Sequence, residues 1–461
     1  MALAASIVTV SARADAEDLD ERRSYRLLRD DENWAWLRGP HAGDDFWDPV
    51  KYLRLGDRDD TFLTLGGETR QWIEGYQNEL WGQTKIGTNV YWLQRYMAHA
   101  DAHLTPYARV FVQLKSGIEY GRTGGPRPVD EDKLDFNQAY VDTAFVPAPS
   151  LDAEPKALLR IGRQEMSYGS GRLIDVREGP NVRFGYDGAR LITRFGPVRF
   201  DAFAVRPDLT QQEVFGDAAN VHQAFWGAWG TYTVQSLLVD AYYLGLERDS
   251  FAYQRIAGKE WRHTTGARVR ARSSIADAEV EAAYQFGQVA ALPIAAWTVA
   301  AEAVIRGRAL PLAPVVTIGV GATSGDQGAS SGSLGTFSPL FPRGAYFGLV
   351  SANGPSNNIA PHAQLALQLP ARFSASVEYW AFWRESLADG VYGVPGTLLR
   401  AGNSAEGRYL GDQVEGYLTW QADRHLSLNA TLAYFAVGSF FQTSMPGKDI
   451  TYGAGWATYK F

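Results

Sequence analysis

Residues 91–115 read YWLQRYMAHADAHLTPYARVFVQLK, two alternating runs with a tight break between them. From Tyr91 to Leu104, Arg95, Met97, His99, Asp101 and His103 share one face, and Trp92, Tyr96, Ala98, Ala100, Ala102 and Leu104 share the other. After Thr105-Pro106, Arg109, Gln113 and Lys115 oppose Ala108, Val110, Val112 and Leu114. Side chains alternate across a strand, so each run is a strand with one charged side and one apolar side. Lipid against the apolar face and water against the charged one is the arrangement of a transmembrane β-barrel.

The same period continues outward from this hairpin. Arg268, Arg270 and Arg272 oppose Ala267, Val269 and Ala271, while Gln413, Glu415 and Tyr417 oppose Val414, Gly416 and Leu418. We count 18 candidate strands, starting near positions 61, 90, 107, 138, 157, 188, 198, 223, 236, 260, 276, 294, 313, 359, 373, 409, 427 and 450. Links after even-numbered strands are mostly tight, as at Thr105-Pro106 and Gly196-Pro197. Links after odd-numbered strands are mostly long and rich in Gly, Ser, Asn and Pro, as in 167–187 and 326–358. Long extracellular loops alternating with short periplasmic turns mark outer-membrane barrels, and an even count puts both termini on the periplasmic side. The eleventh link, Ala290 to Pro293, breaks the rule and places a strand boundary there in question. The fold class expected is all-β, an antiparallel transmembrane barrel of about 18 strands.

Composition narrows the alternatives. The chain has 461 residues, a net charge of −7, 47 Gly, 23 Tyr, 22 Phe, 14 Trp and no Cys. Without Cys there is no disulfide framework, thiolate metal site or Cys nucleophile. An acidic chain with no basic block argues against nucleic acid as a partner. Residues 1–16 (MALAASIVTVSARADA) read as a secretory signal, with an apolar run followed by A-x-A sites but no basic leader. Residues 17–60, charged and rich in Trp, read as an N-terminal periplasmic segment, and 61–461 as the barrel. The apolar run Val289 to Ile305 is interrupted by Pro293 and Glu302 and makes a poor membrane helix. The last strand, YGAGWATYKF, alternates and ends on Phe461, resembling the terminal signal read by barrel-assembly machinery.

Four segments resemble the alginate export family of outer-membrane proteins. They are Leu159 to Leu191 (LRIGRQEMSYGSGRLIDVREGPNVRFGYDGARL), Phe337 to Gly348 (FSPLFPRGAYFG), the pre-barrel DDENWAWLRG…DFWDPVKYLRLG, and Leu93 to Gly117. The resemblance spans roughly Asp30 to Phe461. It implies an 18-stranded barrel whose lumen passes an anionic exopolysaccharide outward through an arginine-lined constriction. Arg95 falls where one family arginine stands, and Arg163, in the GRQ motif, lies near another; a third meets Asn137-Gln138 here.

A polyuronate carries about one negative charge per sugar at neutral pH. Moving it needs exchangeable cationic contacts, and the planar fork of Arg fits a carboxylate. Parity places Arg95, Arg109, Lys115, Arg190, Arg268 and Arg270 on the lumen face. The long run 172–190 adds Arg172, Arg177 and Arg183 in a loop that either folds inward as a constriction or covers the mouth. Arg163 shares parity with the lipid-facing Leu159 and Ile161, so it reaches the lumen only through a bulge. Acids of lumen parity, including Asp101, Asp142, Asp201, Asp240, Glu279 and Glu281, supply ordinary salt-bridge partners instead. Lumen aromatics Trp380, Tyr417 and Trp456 offer stacking faces to sugars.

Enzyme signals are weak. Ser167-Tyr168-Gly169-Ser170-Gly171 is not a nucleophile elbow, and seven His lack metal-ligand spacing. The expectation is therefore a non-enzyme without cofactor, in the bacterial outer membrane, serving an anionic polysaccharide with periplasmic export partners. The alternatives are a general or small-organic-acid porin and, outside transport, an adhesin or a barrel-embedded enzyme.

Overall fold

The computed structural model describes residues 24–39, 44–150 and 153–461. The signal read over 1–16 lies outside the described residues. Eighteen long strands form the barrel. They are β1 (Phe62–Gln77), β2 (Thr88–Thr105), β3 (Ala108–Tyr120), β4 (Asp132–Val146), β5 (Ala157–Gln164) and β6 (Tyr186–Phe195). Next come β7 (Val198–Leu209), β8 (Gln223–Val234), β9 (Leu237–Ala252), β10 (Ala257–Arg272), β11 (Ala276–Val289) and β12 (Leu292–Arg306). The wall is completed by β13 (Val315–Thr323), β14 (Asn358–Leu369), β15 (Phe373–Trp383), β16 (Tyr409–Gln421), β17 (Leu426–Val437) and β18 (Ile450–Lys460). Each pairs antiparallel with the next, and β1 closes on β18 with Thr69 opposite Tyr459 and Trp72 opposite Trp456. Closure leaves the barrel without a free sheet edge, a requirement in lipid, where an unpaired amide costs several kcal/mol.

Alternation sorts the side chains as the sequence implies. Ile73, Trp92, Tyr96, Val269, Val377 and Leu432 are exposed on the outer face, while Arg70, Arg95, Gln113, Tyr140 and Arg160 are buried on the inner one. The eleventh link is a genuine two-residue turn at 290–291, so the boundary is correct and the loop is simply short. Its place is taken by the long loop 324–357: Leu334 donates to the Pro293 carbonyl at 2.7 Å and accepts from Ala295 at 3.0 Å.

The lumen is largely filled. Loops 165–185 and 324–357 both fold inward and pair by backbone, Asp175 donating to Phe341 and Phe341 to Leu173, each at 2.9 Å. From the second loop, Tyr346, Phe347, Leu349 and Val350 pack on Trp72, Trp380, Phe435 and Trp456 of the wall. The loop turns at Gly348 (φ 83°), where a Cβ would meet the Glu415 carboxylate at 2.1 Å. From both loops, Met166, Tyr168, Ile174, Phe337 and Phe341 pack on Phe203, Phe225, Trp229 and Leu244. Burying each such side chain contributes about 1.5–3 kcal/mol, enough to hold a loop inside a water-accessible barrel. At the short-turn end, residues 24–39 form a strap inside the rim. Its Trp34, Ala35 and Leu37 are buried, and Arg29 donates to the carbonyls of Gly67 and Phe461 at 2.9 and 2.8 Å.

Leu432, in the middle of β17 and 75 % exposed, tests which face meets lipid. Leu432→Arg is expected to destabilise the barrel by about 2–4 kcal/mol, read from urea unfolding in lipid vesicles. An unchanged midpoint would show that the outer face does not contact hydrocarbon.

Candidate functional site

Inside the barrel the arginines are clamped. Arg95, 1 % exposed, donates Nε to the Asn181 carbonyl at 2.8 Å and Nη2 to Pro180 and Glu178 carbonyls at 2.6 and 3.0 Å. Its Nη1 lies 2.6 Å from the Glu178 carboxylate and 3.3 Å from that of Glu68. Arg70 beside it donates to the same carbonyls of Glu178 and Pro180, at 2.9 and 3.0 Å. Arg183 completes the knot, 2.8 Å from Glu165 and 3.4 Å from Glu178. Arg95 thus has the lumen direction that parity gave it but does not project into water. The inward loop 165–185 brings Glu178 onto it, a partner more than 80 residues away in the chain that strand parity could not reveal.

Burial opposes ionisation of Glu178, but Arg95, Arg183 and Arg70 outweigh it and hold its carboxyl well below the usual range. A carboxyl lowered by folding stabilises the fold above its ordinary pKa and loses that contribution only as pH falls through the lowered value. The Glu178 carboxylate therefore favours the clamp throughout the neutral range, and the contribution fades only in acid.

An open space lies toward the short-turn end, a vestibule of about 290 Å³. Six arginines line it: Arg109, Arg160, Arg190, Arg194, Arg199 and Arg268. The wall acids lining it are Asp142, Glu154, Asp201 and Asp240, and the strap adds Asp30 and Asp31. Arg109 is 2.6 Å from Asp101, Arg190 and Arg199 share Asp201 at 2.5 and 3.0 Å, and Arg268 sits between Asp240 and Glu279 at 2.6 and 2.8 Å. Arg199 is the most open of these paired arginines, its side chain 40 % exposed. Tyr168 and Trp229, with rings 5.1 Å apart, border the same space as buried rings of the loop–wall core.

The remaining candidates scatter. Lys115 is buried among Asp217, Asp132 and Asp208 at 2.8, 3.2 and 3.4 Å, beneath loop 210–222 where the short β5–β6 hairpin leaves the wall low. Arg163 keeps the outward parity of Ile161, Gly162 opposing Tyr140 and Arg163 opposing Ala139. It pairs with Asp187 across β6 at 2.9 Å and reaches Asp208 at 3.5 Å, sharing that carboxylate with Lys115. Arg172 lies 3.4 Å from Glu281, Arg177 rests over the Phe184 ring at 4.2 Å, and Arg270 meets Asp277 at 3.0 Å. Trp380 and Trp456 are covered by loop 324–357 rather than presented to the lumen. Ser167 and Ser170 donate to Asp175 and Glu281, with no histidine in the arrangement. Arg160 and Arg199 are two vestibule cations missed in the sequence. Both were findable by parity, Arg160 lying between Leu159 and Ile161 and Arg199 sharing a face with Asp201.

A closed barrel with inward loops and a charged vestibule is the architecture of an outer-membrane channel, and the comparisons agree. Residues 61–451 match the alginate export family. The chain belongs to that family, an outer-membrane porin-like barrel of the bacterial cell. No match is found among curated proteins. Among solved structures, the chain resembles Pseudomonas aeruginosa OccD3 (OpdP) at 10 % identity, with a TM-score of 0.59, covering 89 % of this chain and 92 % of that one. It also resembles Pseudomonas aeruginosa OccK2 (OpdF), solved in complex with glucuronate, at 13 % identity and a TM-score of 0.57, covering 89 % and 99 %.

Glu178→Gln leaves Arg95, Arg70 and Arg183 crowded without their shared anion. Breaking such a buried pair costs about 3–5 kcal/mol. We expect a lower thermal midpoint and a larger, noisier single-channel conductance as loop 165–185 loosens. A quiet channel of unchanged conductance would show that the clamp does not hold the loop.

Proposed function

We propose that the barrel conducts an anionic, uronate-rich polysaccharide such as alginate from periplasm to exterior, entering through the arginine-lined vestibule. The observation that carries this reading is the concentration of six arginines at the short-turn end, which is periplasmic in barrels of this class. Each wall carboxylate there is shared or one-sided, so a guanidinium edge can pass from a wall acid to a passing carboxylate without ever being unpaired. Contacts of that kind are selective yet exchangeable, which conduction requires. A low-dielectric wall focuses the field of the group and raises the local anion concentration. Membership of the alginate export family supports the polymer. In this reading residues 17–60 are a periplasmic segment, Phe461 serves barrel assembly, and export partners present the polymer at the vestibule. The chain performs no chemistry.

A second reading is a porin for small organic acids. The two inward loops narrow the lumen, and a structural neighbour was solved with glucuronate. Length dependence separates the two.

Reconstituted channels are expected to be anion-selective in a salt gradient and to be blocked more strongly by longer oligouronates. Arg194→Glu with Arg199→Glu is expected to weaken both effects, and salt near 1 M to erode the selectivity, because the screening length falls to about 3 Å. Cation selectivity would contradict the reading. Block by glucuronate that does not strengthen with chain length would favour the small-acid porin.

A further inference from the structure

The strap places a carboxylate of its own in the vestibule. Residues 29–32 read Arg-Asp-Asp-Glu, and a single turn (Arg29–Asp31) carries Asp30 into the wall, where it is 5 % exposed. Its Oδ2 accepts from Arg160 Nη1 at 2.5 Å and from the Tyr140 hydroxyl at 2.9 Å, and Gln138 approaches Oδ1 at 3.5 Å. Arg109 and Arg183 donate to strap carbonyls, of Asp30 at 2.8 Å and of Leu27 at 2.9 Å. One carboxylate and nearby neutral oxygens held by guanidiniums and a phenol are the groups that a uronate residue would present.

The pairing of the wall points the same way. The vestibule arginines have wall partners without the strap, Arg109 with Asp101, Arg190 and Arg199 with Asp201, Arg194 with Glu154, and Arg268 with Asp240 and Glu279. Arg160 does not depend on Asp30 for pairing, because Asp142 already accepts from its Nε and Nη2 at 2.8 and 3.0 Å. Asp30 is a second anion on a spare nitrogen, and another carboxylate can replace it while the wall stays paired. Within the strap, Arg29 is tied to Glu32 at 2.6 Å, so the segment carries part of its own neutralisation when it leaves.

Resting on the polyanion reading above, we propose that Arg160, Tyr140 and Arg109 form a uronate-carboxylate subsite at the periplasmic entrance. Asp30 fills it in cis, and an incoming uronate displaces the strap. The chain's own acidic turn is then a substrate mimic that keeps the entrance closed until polymer arrives.

The absence of Cys makes the test clean. Ala35, 0 % exposed under the docked strap, becomes the single reporter in Ala35→Cys, with the full chain in liposomes. A triuronate is expected to speed maleimide labelling about tenfold, as a ligand-driven shift of a local opening equilibrium would. Maltotriose, which is neutral, should leave the rate unchanged, and adding Asp30→Asn should raise it without ligand. Should Asp30→Asn fail to assemble, the triuronate and maltotriose arms still decide the matter. If triuronate blocks current through the same protein but leaves labelling unchanged, the displaced-strap proposal is overturned and the export reading stands. If triuronate neither blocks nor speeds labelling, both are overturned.

Discussion

A guanidinium withdrawn from water needs a carboxylate or several carbonyls beside it, because an uncompensated buried charge costs several kcal/mol. The interior of this barrel is arranged around that requirement. Arg95, Arg70 and Arg183 draw loop 165–185 inward and fix Glu178 at mid-lumen. That loop in turn gives loop 324–357 a backbone edge to pair with, and the apolar residues of both complete the packing. Arg160 and Arg109 hold the strap in the same way at the other end. The lumen is shaped less by its strands than by the segments its arginines recruit.

This arrangement bears on transport. A channel lined with free cations would bind a polyanion too tightly to release it, whereas one whose cations are fully satisfied would ignore it. Here the vestibule arginines keep internal partners, several of them shared, so under the proposed function a carboxylate would exchange with an acid of the protein instead of meeting a bare charge. Under that proposal much of the guanidinium desolvation precedes the ligand, which favours movement over trapping.

The wall of the barrel was legible in the sequence because its period is local. Tyr91 to Lys115 shows its two faces without any tertiary information, and all 18 strands begin within a few residues of their expected positions except β4, which starts earlier, at Asp132. The contents of the lumen were legible only in part: of the two courses open to the 172–190 loop the structure takes the inward one, but its partners could not be read. Phe337 to Val350 looks like an ordinary Gly-rich external loop, because its partners Trp72, Phe435 and Trp456 lie on distant strands. The same is true of Arg95, whose direction followed from parity but whose partner, Glu178, did not. Asp30 sat in a segment without periodicity, and only the folded chain brings it to Arg160 and Tyr140. Local alternation fixes which way a side chain points; what meets it there is a property of chain reversal.

The most direct test of the account is a structure of the barrel determined with a bound oligouronate. The account predicts sugar in the vestibule, with a carboxylate within hydrogen-bonding distance of Arg160 and Tyr140 where Asp30 now lies, and the strap withdrawn from the wall. An oligouronate bound only outside the barrel, or a lumen unchanged at saturating ligand, would contradict it.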